Sequence, residues 1–165
     1  SAARFGTGVA PPSPPSPMDA LDHRLLREVQ QDARLTYAEL GRRVGLSPPA
    51  VSERLARLEA DGVITGYHAA VAPARLGRPV QAVLHLQVDR ARYGRSLERI
   101  LELDEVLVCH RTTGSSSLLM IVAVASMEAL EALIDRLLPL GEPVTQMILS
   151  TPVPRRAVAP PEENR

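Results

Sequence analysis

Apolar residues recur at helical spacing through the first part of the chain. Leu21, Leu25 and Val29, with Leu26 beside them, line one side of a segment from Asp19 to Arg34. Leu40 and Val44 fall one turn apart in the next segment, and Val51, Leu55 and Leu58 follow at i, i+4, i+7 in a third. Polar residues mark the ends. Asp19 is placed to cap the first helix, and Asp22 sits where the positive end of the helix dipole favours an acid. Thr36-Tyr37-Ala38-Glu39 reads as a capping box, in which each side chain satisfies a free backbone donor. Gly45 can take the positive φ that ends a helix, and Leu46 plugs the corner. Ser47 is a good N-cap, and Pro48 occupies the first helical position, where a missing N–H costs nothing. Gly62 stops the third helix. Two helices joined by a tight turn, Thr36 to Ile64, predict a helix-turn-helix packed on the helix before it; such a motif lays its second helix in the DNA major groove. Ile64 to Val71 carries a Gly-broken β pattern, expected as the wing of a winged helix or as a strand leading onward.

Beyond the turn-rich link Pro73 to Pro79 the period changes from helical to alternating. Val80, Ala82, Leu84, Leu86 and Val88 alternate with Gln81, His85 and Gln87, which predicts a half-buried strand. A helix is expected over Tyr93 to Leu103 and a strand over Val106 to Thr113. A turn then leads to a third strand, Leu118 to Val124, pairing back as a hairpin. Ser126 caps a helix with Leu130, Leu133, Ile134 and Leu137 inward; Gly141 and Pro143 end it, and Val144 to Leu149 is the last strand. The order βαββαβ is the split arrangement of the ferredoxin-like fold, so the fold class is α+β. Helices cover one face of such a sheet. Both faces of Leu118 to Val124 are apolar, which predicts a dimer through the sheet.

Five segments follow: residues 1–17 as a disordered Pro- and Ser-rich arm with Met18 as a candidate start, 18–72 as the DNA-binding domain, 73–79 as linker, 80–153 as the ferredoxin-like domain, and 154–165 as a flexible tail. Aromatic residues are only 2% of the chain, so base stacking on rings is excluded as the main binding mode. The 19 basic residues are all arginine and are balanced by 19 acids, which argues against strong non-specific DNA binding by a lone subunit. Any grip on DNA has to come from local geometry and pairing. Cys109 stands alone, which excludes an internal disulfide or a cysteine-based zinc framework. No apolar run is long enough to cross a membrane and no signal-peptide core is present, so a cytoplasmic setting is expected. His85, His110 and Cys109 lack ligand spacing, and no catalytic triad, phosphate loop or paired carboxylates stand out; no cofactor, metal or enzymatic activity is expected.

The candidate DNA-contacting residues lie on or beside the third helix. Ser47, Pro48, Pro49 and Ser52 form the leading end that enters the groove first. Ser52, Glu53, Arg54 and Arg57 are expected on the face opposite the apolar stripe, with Arg54 reading guanine and Arg57 touching phosphate. Arg34, Arg42 and Arg43 are placed to flank the backbone.

The run from Leu21 to Gly77 is similar to the N-terminal signature of the Lrp/AsnC (feast/famine) regulators. Its landmarks are Leu21-Asp22, Gln31-Asp32-Ala33-Arg34, Leu40, Val44-Gly45-Leu46-Ser47, Val51, Arg54, Arg57-Leu58-Glu59, Gly62-Val63-Ile64 and Leu76-Gly77. Residues 80–153 resemble the family's effector and assembly domain in pattern more than in letters. The resemblance implies a transcription regulator with three partners: double-stranded DNA, further copies of itself as dimers building octamers or similar rings, and a small effector, an amino acid. It also implies an effector-binding loop after the second strand, here Gly114-Ser115-Ser116-Ser117. The family's Gly-x-x-Asp ends in Ser117, and a hydroxyl can hydrogen-bond where a carboxylate would pair with an ammonium group. Two rival readings share the layout: a small-molecule sensor or assembly protein with an idle DNA-binding domain, and a tetrapyrrole decarboxylase-like enzyme, whose helix-turn-helix is usually degraded.

Overall fold

The computed structural model describes residues 17–89, 91–114 and 117–160. The expected arm falls almost wholly outside them, as do Ser115 and Ser116. The chain divides into two compact units, one running to Ala69 and rejoined from Val153 onward, the other Ala70–Pro152.

The first unit holds α1 (Ala20–Gln31), α2 (Tyr37–Val44) and α3 (Pro48–Ala60). Each helix starts where a side-chain cap is available. Asp19 and Asp22 form a reciprocal capping box on α1, Thr36 and Glu39 form another on α2, and the Ser47 hydroxyl accepts from the Ala50 amide at the start of α3. Gly45 ends α2 at φ 80°, a left-handed conformation that lets its amide and that of Leu46 bond back to the Gly41 carbonyl. The core is built from Leu25, Val29, Leu40, Val44, Val51 and Leu55. The apolar stripe thus faces inward, while Leu21 and Leu26 stay half-buried at its edge.

The expected wing does not form. Residues 64–71 contain no strand: the start of the segment is engaged with the helix it follows, and residues 65–71 are exposed. The amides of Val63 and Ile64 both donate to the Leu58 carbonyl, at 2.9 and 3.0 Å, and the Ile64 side chain packs on the core. The Tyr67 hydroxyl donates to Glu59 at 2.8 Å. Partial burial, then the Glu59 carboxylate, push the Tyr67 phenol up to about 12, so it stays a donor. The tail is tied to α1 at Val158: the Gln30 side-chain amide donates to the Val158 carbonyl at 3.0 Å and accepts from the Val158 amide at 2.8 Å.

The second unit opens with a short 3₁₀ turn, Pro73–Leu76, followed by β1 (Val80–Gln87), α4 (Tyr93–Leu101), β2 (Val106–Arg111), β3 (Leu118–Val124), α5 (Met127–Leu137), a 3₁₀ turn Leu138–Leu140 and β4 (Glu142–Met147). Four antiparallel strands lie in the order β2-β3-β1-β4, the ferredoxin-like arrangement. Leu84 of β1 sits opposite Met120 of β3 and Thr145 of β4, so register puts Ala82, Leu84, Leu86, Leu118, Met120 and Val122 on one face. That face packs against Ile100 of α4 and Leu130, Leu133 and Leu137 of α5. Pro143 does not end the last helix as expected; it lies inside β4, opposite Leu86. An edge strand tolerates a missing N–H, and Pro139 in the 3₁₀ turn closes the helix instead.

Candidate nucleic-acid interface and effector domain

Asp22 is the most constrained polar group of the first unit, only 1% exposed. One of its oxygens, Oδ1, accepts from Arg54 Nη1 at 2.7 Å and from Arg57 Nη2 at 2.8 Å. The other, Oδ2, accepts from Arg57 Nη2 at 2.8 Å and from the Asp19 amide at 3.1 Å. Arg54 Nη1 also reaches Asp19 at 2.8 Å. A buried carboxylate is tolerable only when paired and hydrogen-bonded, and here its acceptor sites are filled from two helices. The hydrogen bond from the Asp22 amide, then that from Arg54, hold the Asp19 carboxyl below its usual range; the bonds to Asp22 and then Asp19 hold the Arg54 guanidinium above its own.

This arrangement corrects the placement of both arginines. The two side chains do not lie free on the outer face of α3; they reach sideways to the N-terminus of α1 and brace α3 against it. Arg54 is 23% exposed and commits its Nη1 to two carboxylates. Arg57 is 46% exposed and keeps part of its guanidinium toward solvent. Arg43 is likewise engaged: Nη1 donates to Glu28 at 2.8 Å and its carbonyl accepts from Arg24. The Glu28 hydrogen bond raises the Arg43 pKa above its ordinary value. Arg42 is exposed and, among the described residues, makes no hydrogen bond or ion pair.

The outward face of α3 is smoother than the sequence suggests. Pro49, Glu53, Ala56 and Ala60, at i, i+4, i+7 and i+11, are all exposed and lie opposite Val51, Leu55 and Leu58. Pro48 and the Ser47 cap are exposed at the leading end, and Ser52 is half-buried at the flank. The sequence signal that could have exposed the clamp is Asp22 itself: an acid at helical register with the core residues Leu25 and Val29 needs a cation opposite it.

In the second unit Gly114 stands at φ 99° in the hairpin between β2 and β3, where glycine has no steric cost. Ser117 is brought to the end of β1. Its hydroxyl donates to the Val88 carbonyl at 3.1 Å and accepts from the Val88 amide at 3.3 Å, while its own amide donates to Leu86 at 3.1 Å. Ser117 therefore closes the hairpin onto β1; the expected effector-facing hydroxyl is already occupied. A cleft of about 520 Å³ opens beside it, lined among others by Gln87, Val88, Asp89, Arg92, Leu140 and Glu142. Arg111 stacks over the Tyr93 ring at 4.9 Å. Cys109 is half-buried against the helix-side core, and burial raises its thiol pKa. His110 is exposed on the opposite face, so the two do not converge. Among the described residues no group of three or more His, Cys, Asp or Glu could hold a metal ion, and no helix is long and apolar enough to cross a membrane.

The sheet face away from the helices carries Val83, Leu119, Ile121, Val108 and Val144, the last 59% exposed. His85 and His110 flank Leu119 on it.

Comparison with known proteins identifies both units. The AsnC-type helix-turn-helix domain matches residues 18–59, and the Lrp/AsnC ligand binding domain matches residues 81–158. The HTH-type transcriptional regulator LrpC of Bacillus subtilis is 35% identical over 133 residues, covering 81% of this chain and 92% of that protein. The structure of B. subtilis LrpC superposes with a TM-score of 0.81 at 33% identity, over 85% of this chain and 100% of that one. The feast or famine regulatory protein of Mycobacterium tuberculosis, complexed with L-methionine, gives 0.78 at 34% identity, over 86% and 99% of the two chains.

Proposed function

Because the chain belongs to the Lrp/AsnC family of HTH-type transcriptional regulators, which are not enzymes, we propose a specific division of labour between its parts. The helix-turn-helix binds a specific DNA sequence, and the ferredoxin-like domain takes a small effector and joins subunits. The observation that carries this reading is the state of α3. It is fully capped, braced by Arg54 and Arg57, and open along its outward face, as a helix that enters a groove must be. Ser47, Pro48, Pro49, Ser52 and Glu53 form the groove-facing set, Arg42 reaches phosphate, and Arg54, Arg57 and Arg43 hold the helices in position. The clamp on the buried Asp22 holds α3 in place, which favours a working DNA-binding domain over an idle one.

The effector in this reading is an amino acid, the class of ligand seen in the M. tuberculosis relative crystallised with L-methionine. Ser117, at the end of the expected loop Gly114-Ser115-Ser116-Ser117, bonds Val88, which also lines the adjoining cleft, so a ligand held there would meet charges of both signs from Asp89, Arg92 and Glu142. The exposed apolar face of the sheet supports dimerisation with a second copy, and dimers would place two recognition helices roughly 34 Å apart, one turn of DNA. Assembly of dimers into larger rings is the arrangement through which an effector would act, by favouring one assembly over another. The protein works in the compartment that holds the chromosome, the cytoplasm in this reading.

Mobility shift with DNA from upstream of the protein's own gene, at low salt, tests the reading, since autoregulation is expected. A retarded band that survives competitor DNA is the expected outcome, with thermal-shift screening of amino acids to follow. Folded protein that retards no DNA at any salt concentration would overturn it.

A further inference from the structure

Arg54 Nη1 and Arg57 Nη2 are held by Asp22 at the side of α3, so neither guanidinium is free to lie as a fork along the outward stripe. What remains along Pro49, Glu53, Ala56 and Ala60 is one ionisable group. Glu53 is exposed at the centre of that stripe, and among the described residues it makes no hydrogen bond or ion pair. A carboxylate facing DNA is repelled by the phosphates unless it meets a donor on a base edge. In the major groove that donor is an exocyclic amino group, and the pairing chemistry for a carboxylate is the N4 amino group of cytosine. Beside it, the methyl of Ala56 and the ring of Pro49 can contact only apolar groups, of which the groove offers the thymine methyl.

We propose that Glu53 is the specificity-determining residue of this regulator, accepting a hydrogen bond from a cytosine amino group in each half-site, with thymine favoured alongside. The assignment rests on the DNA-binding reading above. It predicts a recognition stripe of one acceptor among apolar groups, with positive charge supplied from the flanks of that stripe. It also predicts how the wrong base is rejected. Thymine at the Glu53 position presents its O4 acceptor to the carboxylate, and guanine presents O6 and N7, so like meets like.

The test is selection of binding sites from a randomised duplex library by the full chain, repeated with Glu53→Ala and Glu53→Gln at one fixed salt concentration. Wild type is expected to select a cytosine in each half-site and to lose about tenfold or more in affinity when that base pair is replaced. Glu53→Ala should bind the cytosine and thymine versions equally, and Glu53→Gln should shift the preference toward adenine, whose N6 and N7 suit an amide. Circular dichroism will show both variants folded, since Glu53 is exposed and makes no hydrogen bond or ion pair among the described residues. A selected motif that is identical in wild type and both variants overturns the assignment while leaving DNA binding intact. A wild-type protein that selects no motif overturns the DNA-binding reading, and the assignment with it.

Discussion

Asp22 and Arg57 meet side-on: one guanidinium nitrogen lies 2.8 Å from each carboxylate oxygen, joining the first turn of α1 to the last turn of α3. Arg54 adds a second cation to the same carboxylate, at 2.7 Å. Removing one partner of a buried pair leaves the other uncompensated, which commonly costs about 3–5 kcal/mol. Both arginines retain some access to water, so Asp22→Ala is expected near the lower end, about 3 kcal/mol, read as a shift in the urea unfolding midpoint of the full chain. Arg54→Ala should cost less, about 1–2 kcal/mol, and leave the selected DNA motif unchanged. A double-mutant cycle on Asp22 and Arg54 should give a coupling of about 1 kcal/mol or more. Strict additivity would show that Arg54 does not brace α1 through Asp22, and loss of sequence preference at full stability would show that it acts on DNA.

Gly41 occupies the middle of α2, where alanine would ordinarily stabilise a helix by about 1 kcal/mol. Here a Cβ would run into the backbone carbonyl of Leu46 in the turn that leads to α3. That oxygen belongs to the main chain and cannot swing away. Gly41→Ala is therefore expected to destabilise, by about 1–3 kcal/mol, against its propensity. Thermal unfolding followed by circular dichroism decides the sign, and a raised midpoint would show that the turn has room to move.

Ser117 bonds both backbone groups of Val88, a residue that is itself buried. Ser117→Ala strips two bonds at once and is expected to cost about 1–2 kcal/mol, with faster hydrogen exchange at the Val88 amide. Ser117→Asp should fare no better, because its carboxylate can accept from the Val88 amide but would face the Val88 carbonyl without a proton to donate. Unchanged exchange at Val88 in both variants would mean that the hairpin is held by the strand ladder alone.

Acid should loosen the first unit before neutral conditions do. A backbone hydrogen bond from Asp22, then Arg54, hold Asp19 below its ordinary value of 3.8, and the Thr36 hydroxyl, then the Thr36 amide, hold Glu39 below 4.5. Both groups have depressed values in the folded state, so their contribution is fully present above the ordinary values and is lost as pH falls below them. The urea midpoint of the full chain is expected to fall from pH 5 downward, and Asp19→Asn with Glu39→Gln should flatten that part of the profile. A parallel slope in wild type and the double variant would assign the acid response to other carboxylates.

The sequence by itself determined the elements of both units. Local signals act within a few residues: caps at Asp19, Thr36, Ser47 and Ser126, the left-handed Gly45, and the change from helical to alternating period at Val80. The βαββαβ order leaves few sheet topologies, and the observed strand order is the one expected. Only the tertiary structure decided which polar groups are free. Arg54 lies 32 residues from Asp22 in the chain, and a long flexible side chain at the edge of a helix face can turn toward solvent or toward a buried acid. Helical periodicity places its Cβ and says nothing about its guanidinium. The same holds for Ser117, whose hydroxyl finds Val88 across 29 residues, and for the β-like run from Ile64, whose first side chain packs on the helical core while Tyr67 donates to Glu59 of α3. Burying Asp22 obliges two cations to stay with it, while Glu53, exposed on the outward face of α3, makes no hydrogen bond or ion pair among the described residues.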